Sequence, residues 1–365
     1  MPLFLSARLN NLTVLSFALA LSVAAGCSPN RGDNSLAESG GTIRVAGGGA
    51  TFPDLIYQKW LSEYGKINPN ARIDYQPTGS SDGINGLLEG TIDFGGSDSP
   101  MADDVMAKAS SPVLHIPTVL GAVVITYNPA VSAQPLRFSP ATLAGIFLGK
   151  IARWDDAAIK ADNPNAMLPS TEINVVSRAG GSGTSAAFTD YLSKISPEFE
   201  QQVGKSTSPR FPVGQSAKGN DGVTASVQQT PNAIGYIEIA FAKKNNLPVA
   251  QIKNSAGNFI EPTLESVAAA AAESLPTTPE DLRVSITNPA GANAYPIASY
   301  TYILLFQNQK DAAKGKAIVD FLWWGLHDGA PFARELFYAP LPPEILTRAE
   351  AKLKSVTANN QPLRQ

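Results

Sequence analysis

Arg178 is followed by Ala179, Gly180, Gly181, Ser182, Gly183, Thr184 and Ser185. A guanidinium offers a planar fork of N–H donors that suits a tetrahedral oxyanion. Glycines let backbone come close to a ligand, and free N–H groups at a helix start attract negative charge. Here strand-like "INVVSR" ends at Arg178, and Ser182, Gly183 and Thr184 open the helical pattern "TSAAFTDYL". Two other stretches share the design. In "GGGATFPD", Thr51 is a candidate helix N-cap, Pro53 suits the first turn, and the amides of Thr51 and Phe52 would face an anion. In "PTGSSDGINGLLEG", Ser80 and Ser81 follow Gly79, while Ile84, Leu87 and Leu88 mark the buried face of the next helix. Taken alone, each of these two reads equally well as a capped strand-to-helix turn.

Asp98, in "DFGGSDSPM", adds the opposite chemistry. Ser99 and Pro100 are read as the cap and first residue of the next helix, which leaves Asp98 free for another task. An ionised carboxylate only accepts hydrogen bonds. Among donors it repels an anion, unless that anion carries a proton to give. Phosphate near neutral pH carries at least one P–OH and sulfate carries none, so this placement selects phosphate. Alone, Asp98 also reads as a loop aspartate in solvent.

Catalytic constellations are poorly supplied. A nucleotide-binding P-loop needs Lys after its glycines, and "GGSGTS" has none. A nucleophile elbow needs Gly two residues after the serine, yet Thr184 follows Ser182 at that spacing. The only histidines are His115, inside the apolar run "VLHIPTVL", and His327. With one cysteine they make no metal cluster. The loop is equipped to bind and poorly equipped to cut, and neither metal nor cofactor is expected.

Alternating strands and helices must position these residues. Strands are expected at "TIRVAG", "RIDYQPTG", "TIDFGGSD", "HIPTVLGAVVITYN", "EINVVSR", the start of "AIGYIEIAFAKKNN", and "YTYILLF". Helices are expected at "INGLLEG", "TSAAFTDYLSKI" and "VAAAAAESL", and Trp323 and Trp324 should seat a late helix on the core. Interleaving of this kind argues for an α/β fold of two lobes. The 365 residues suffice for two domains, and 44% hydrophobic with 16% charged residues is a globular composition. A net charge of −3 lacks the basic excess that a nucleic-acid partner requires, so local geometry must hold any anion.

Residues 1–26 read as a signal peptide. Arg8 is the only charge, and the apolar run from Leu12 to Ala25 is too short to span a membrane. It ends Val23-Ala24-Ala25-Gly26-Cys27, which resembles a lipobox with Cys27 as the lipidated residue. Lipoboxes more commonly carry Leu where this chain has Ala24, and cleavage after Ala18-Leu19-Ala20 is the rival reading. Residues 27–41 would then be the lipidated cysteine and a flexible tether, with order beginning near Thr42.

The stretches "AGGGATFPDLIYQKW", "DFGGSDSPM", "LGKIARWDD", "RAGGSGTSAAFTDYL", "KGNDGV" and "AIGYIEIAFAKKNNL" together resemble the periplasmic phosphate-binding protein of Pst-type ABC phosphate transporters, over about residues 42–345. The resemblance implies a type II-like periplasmic binding protein, with a ligand cleft between lobes joined by hinge strands. It implies lobe one at 42–117 plus 297–345, lobe two at 118–296, crossings near Pro117-Thr118 and Tyr295-Pro296, and a tail at 346–365. Inorganic phosphate would be held by Thr51, Phe52, Ser80 and Asp98 from the first lobe and by Arg178, Ser182, Gly183 and Thr184 from the second. The implied partners are the permease and ATPase subunits of the transporter. The implied setting is the periplasm or cell surface, with a lipid anchor and a monomer outside the complex.

Two positions depart from the family's pattern. Gly180 stands where members commonly carry Asp, and Asp82 where they commonly carry Gly. One carboxylate is lost as another appears, so Asp82 is expected either to approach Arg178 across the cleft or to sit solvated in its loop. Two rival functions remain at this level: a secreted phosphatase acting on phosphate esters, and a binding protein for another oxyanion such as sulfate or molybdate.

Overall fold

The computed structural model describes residues 42–364 apart from Ala133. The segments expected as signal peptide and tether, with Cys27, lie outside the described residues. One eight-stranded sheet organises the described chain. Its strands are β1 (Ile43–Gly49), β2 (Ala71–Gln76), β3 (Phe94–Ser97), β4 (Val113–Tyr127), β5 (Asn174–Ala179), β6 (Gln215–Lys218), β7 (Ala233–Glu238) and β8 (Ala298–Phe306). Their spatial order is β2-β1-β3-β8-β4-β7-β5-β6.

Strand β4 belongs to two half-sheets. Val113 to Ala122 pair antiparallel with β8, and Val123 to Tyr127 pair antiparallel with β7. The Val123 N–H donates to the Ile297 carbonyl at this changeover. The outer strands are parallel: β1 with β2 and β3, and β5 with β6 and β7. Nearly all of β4 is buried, which its unbroken apolar run requires, because helices cover both faces. The changeover lies further along β4 than Pro117-Thr118, while Ile297 immediately follows the expected Tyr295-Pro296.

Residues 346–364 are no loose tail. A helix at Pro343–Lys354 buries Ile345, Ala349 and Leu353, and Thr357–Ala358 pairs with Asn308–Gln309 and with Gln361–Pro362. The segment after the helix Leu264–Ser274 makes contacts on both sides. Arg283 reaches back to the Met101 carbonyl and to Asp103, while Ser285 and Thr287 donate to Asp190.

Four helices matter for the site: α1 (Asp54–Ile67), α2 (Ser80–Glu89), α3 (Gly183–Ile195) and α4 (Gly219–Gln229). Each begins just beyond the carboxyl end of a strand, β1, β2, β5 and β6 respectively. Crossover connections of parallel strands put helix N-termini there. Glycines set how closely α2 approaches. A Cβ on Gly83 would lie 2.5 Å from the Gly96 carbonyl oxygen and 2.8 Å from the Gly49 Cα, so backbone packs on backbone. The late helix Ala312–Leu326 carries Trp323 and Trp324, both half-buried. Trp324 packs on Tyr64, and Trp323 stacks on His327 and has the Arg364 guanidinium over its ring. No helix among the described residues is long and apolar enough to cross a membrane.

Candidate functional site

The structure brings Thr51, Phe52, Ser80, Asp98, Arg178, Ser182, Gly183 and Thr184 together where the four helix starts converge. All are buried, with Asp98 4% and Arg178 5% exposed. Contacts link the half-sheets directly. Ser80 Oγ accepts from the Gly183 N–H at 2.9 Å, and the Ser81 N–H donates to the Gly181 carbonyl at 3.2 Å. Gly183 must be glycine, because a Cβ there would lie 2.6 Å from Asp98 Cβ and 2.7 Å from Ser80 Oγ.

The donors are arranged as follows. Among the described residues the backbone N–H groups of Thr51 and Phe52 find no acceptor, although both residues are buried. Thr51 is not the N-cap of α1. Pro53 holds that position, and the Thr51 hydroxyl instead accepts from Asn220. The Phe52 ring fills the core beside Gly121, so only its backbone serves the site. Its carbonyl is held by the Tyr338 hydroxyl at 2.6 Å. Ser182 caps α3 by accepting from the Ser185 N–H, which leaves its own O–H to donate.

Arg178 leaves β5 with its backbone N–H donating to the Tyr236 hydroxyl. Its guanidinium reaches Thr184 Oγ1 at 3.2 Å, while its Nε is buried without a partner among the described residues. Desolvation pulls the Arg178 pKa below its ordinary value, opposed by Tyr236, Asp98 and Asp221. A buried cation with an unfilled donor attracts an anion strongly.

Asp98 sits opposite. Thr301 donates to its Oδ1 at 2.9 Å and Ser80 to its Oδ2 at 3.5 Å. Burial pushes its carboxyl up to about 7, against the pull of Thr301, Arg178, Ser80 and the Thr184 backbone. Ser99 and Pro100 do not start a helix there. The next helix is Asp103–Met106 with Ala102 at its N-cap. The raised pKa has a thermodynamic consequence. Between about pH 4 and 7 the folded chain holds a proton at Asp98 that the unfolded chain has released. Stability without ligand therefore falls as pH rises through that window, by a few kcal/mol in order of magnitude. Buried Glu238, whose pKa is also raised, adds a fall of the same sign. Denaturant melts of phosphate-free protein should show Asp98→Asn with a shallower slope across this window. An equal slope would mean that Asp98 is ionised there.

Asp82 does not replace the carboxylate missing at Gly180. It is exposed on α2, and the carboxylates that act on Arg178 are Asp98 and Asp221. Gly180 takes φ +77° in open space, a left-handed turn that glycine adopts without strain. His115 is structural: it accepts from the Met101 N–H, and burial drives its pKa down to about 3, so it stays neutral.

Sequence reasoning missed Asn220, Thr301 and Tyr236. "QSAKGNDGV" was legible as a fourth strand-glycine-polar-helix junction, and Asn220 sits at its polar position. Thr301 and Tyr236 carry no local signal, since strand pairing and packing alone bring them to Asp98 and Arg178.

Comparison with known proteins gives a consistent result. Residues 36–323 match the model of the PBP superfamily domain. The phosphate-binding protein PstS of Xylella fastidiosa (strain Temecula1) is 38% identical over 353 residues, covering 93% of this chain and 96% of that protein. The phosphate-binding protein PstS of Pasteurella multocida is 40% identical over 312 residues, covering 85% and 90%. The crystal structure of a phosphate-binding protein from Stenotrophomonas maltophilia shares the fold, with a TM-score of 0.66 at 21% identity over 85% of this chain and 93% of that one. With its two half-sheets joined through β4 and its site between them, the chain belongs to the PBP superfamily and, within it, to the family of the phosphate-binding proteins PstS.

Proposed function

We propose that this protein binds inorganic phosphate between its lobes and delivers it to the permease of an ABC importer. The carrying observation is that Asp98 and Arg178 share one buried site with amides and hydroxyls from four helix starts. Thr51, Ser80, Ser182 and Thr184 supply hydroxyls, Thr51 and Phe52 amides, and Gly183 the close approach. Asp98 accepts the P–OH. Lobe one is residues 42–122 with 297–364, and lobe two is the chain between them. The bonds Ser80–Gly183 and Thr51–Asn220 form as the lobes meet, so the closed shape that the permease would recognise depends on the same residues that touch the ligand. This reading places the mature chain in the periplasm or at the cell surface, held there through Cys27 and monomeric before it docks.

Calorimetric titration tests this reading. At pH 8, phosphate is expected to bind with micromolar or tighter affinity, about −8 kcal/mol or better, and sulfate at least about tenfold more weakly. Sulfate binding as tightly as phosphate would overturn it.

A further inference from the structure

Asn220 is fully buried at the start of α4 and lies between the two lobes' ligand-facing hydroxyls. Its side-chain Nδ2 donates to Thr51 Oγ1 at 3.0 Å and to Thr184 Oγ1 at 3.5 Å. Its backbone N–H also donates to Thr51 Oγ1, at 3.3 Å. A hydroxyl has one O–H to give and two lone pairs to fill. Asn220 fills both lone pairs of Thr51 Oγ1. On Thr184 Oγ1 the two acceptor positions go to Arg178 Nη1, at 3.2 Å, and to Asn220. Neither hydroxyl retains a lone pair for the ligand, so each can only donate.

The amide cannot turn over and reverse this polarity. Its Oδ1 accepts from the Glu238 N–H at 3.0 Å, and a flipped amide would aim N–H at N–H. Glu238 in turn sits on β7 opposite Val123, where β4 changes half-sheet. The orientation of the amide is therefore tied to the junction between the lobes.

We propose that Asn220 is a positioning residue for anion selectivity: it locks the Thr51 and Thr184 hydroxyls as donors and bonds across the cleft while doing so. Its role rests on the phosphate reading above. Through Asn220 the site rejects any ligand group that must donate at those two points, which leaves Asp98 as the carboxylate that can accept a ligand proton.

The test compares Asn220→Asp with Asn220→Ala. In Asn220→Asp the new carboxyl keeps the Glu238 bond but accepts at its other oxygen. The two hydroxyls would turn toward it and away from phosphate. Titration with inorganic phosphate at pH 8 is expected to show about a tenfold loss for Asn220→Ala and about a thousandfold loss for Asn220→Asp. A residue needed only for packing would give the opposite order, because aspartate is nearly isosteric and alanine leaves a cavity. The ratio of parent to Asn220→Asp affinity should also shrink as pH falls from 8 to 5 and the introduced carboxyl takes up a proton, while the ratio for Asn220→Ala stays level. If Asn220→Ala does not fold, as judged by its thermal melt, Asn220→Ser takes its place. A parent that fails to bind phosphate overturns the functional reading. A parent that binds while Asn220→Asp binds as well as the alanine or serine variant overturns the role given to Asn220.

Discussion

Arg178→Met is expected to abolish high-affinity phosphate binding and yet leave the ligand-free protein at least as stable as the parent. The two effects have one cause. In the folded chain the guanidinium is buried, its Nε has no partner among the described residues, and desolvation already works against its charge. Burying a cation without a full set of partners costs stability, and a methionine of similar volume removes that cost. For the anion the same change removes two or more charge-assisted hydrogen bonds, worth about 1.5–3 kcal/mol each. A loss of about 3–6 kcal/mol corresponds to between about a hundredfold and ten-thousandfold in affinity. Arg178→Lys should recover only part of this, since a point charge cannot reproduce the fork. Calorimetry and a thermal melt without phosphate measure both quantities. A variant that melts lower and binds normally would show Arg178 to be structural.

Asp98→Asn is expected to admit sulfate, and the pH dependence is the sharper part of the result. Asp98 has a pKa of about 7 before any anion enters. Hydrogen phosphate brings its own proton, so either the ligand or Asp98 can hold the one that lies between them. Sulfate brings none and can bind only the fraction of protein in which Asp98 is protonated. Apparent sulfate affinity scales with that fraction, so in the parent it should fall about tenfold per pH unit above about 7 and level off below about 6. In Asp98→Asn the amide can present an N–H at any pH. Sulfate binding should become flat with pH and exceed that of the parent by about 10- to 100-fold at pH 8 to 9. Thr301 can still donate to the amide oxygen at position 98, and the Asp98 backbone N–H still donates to Ser80 Oγ, so the side chain stays near its place while the Ser80 O–H loses its acceptor. A variant that excludes sulfate as strongly as the parent at pH 9 would mean that shape, and not the carboxylate, makes the choice.

What was legible in the chain follows from where each kind of information resides. The strand-glycine-hydroxyl-helix junctions at Thr51, Ser80 and Ser182 are local, and the structure brings all three together. Their detailed geometry is not local. Thr51 reads as an N-cap, yet Asn220, 169 positions further on, claims its hydroxyl. Ser99-Pro100 reads as a helix start, yet the helix opens only at Asp103, with Ala102 as its cap. Counting carboxylates leaves Asp82 either against Arg178 or in solvent, and the helix it belongs to turns it to solvent. The long apolar run from His115 announces a strand without revealing that it serves two half-sheets. Register and partner exchange are set by strands far away in sequence, and no window of the chain contains them.

The strand order also bears on when the chain can fold. β3 and the first part of β4 flank β8, which comes about 170 residues later than β4 and is made of Ala298–Phe306. Until β8 arrives, the β1–β3 ladder and β4 cannot join, and the apolar faces of both stay uncovered. Pairings of such long range are slow to form and late to stabilise. The second half-sheet needs only β4 to β7 and can assemble sooner. A chain made or threaded from its N-terminus would thus finish its first-made portion last, remaining loose until nearly all of it has emerged.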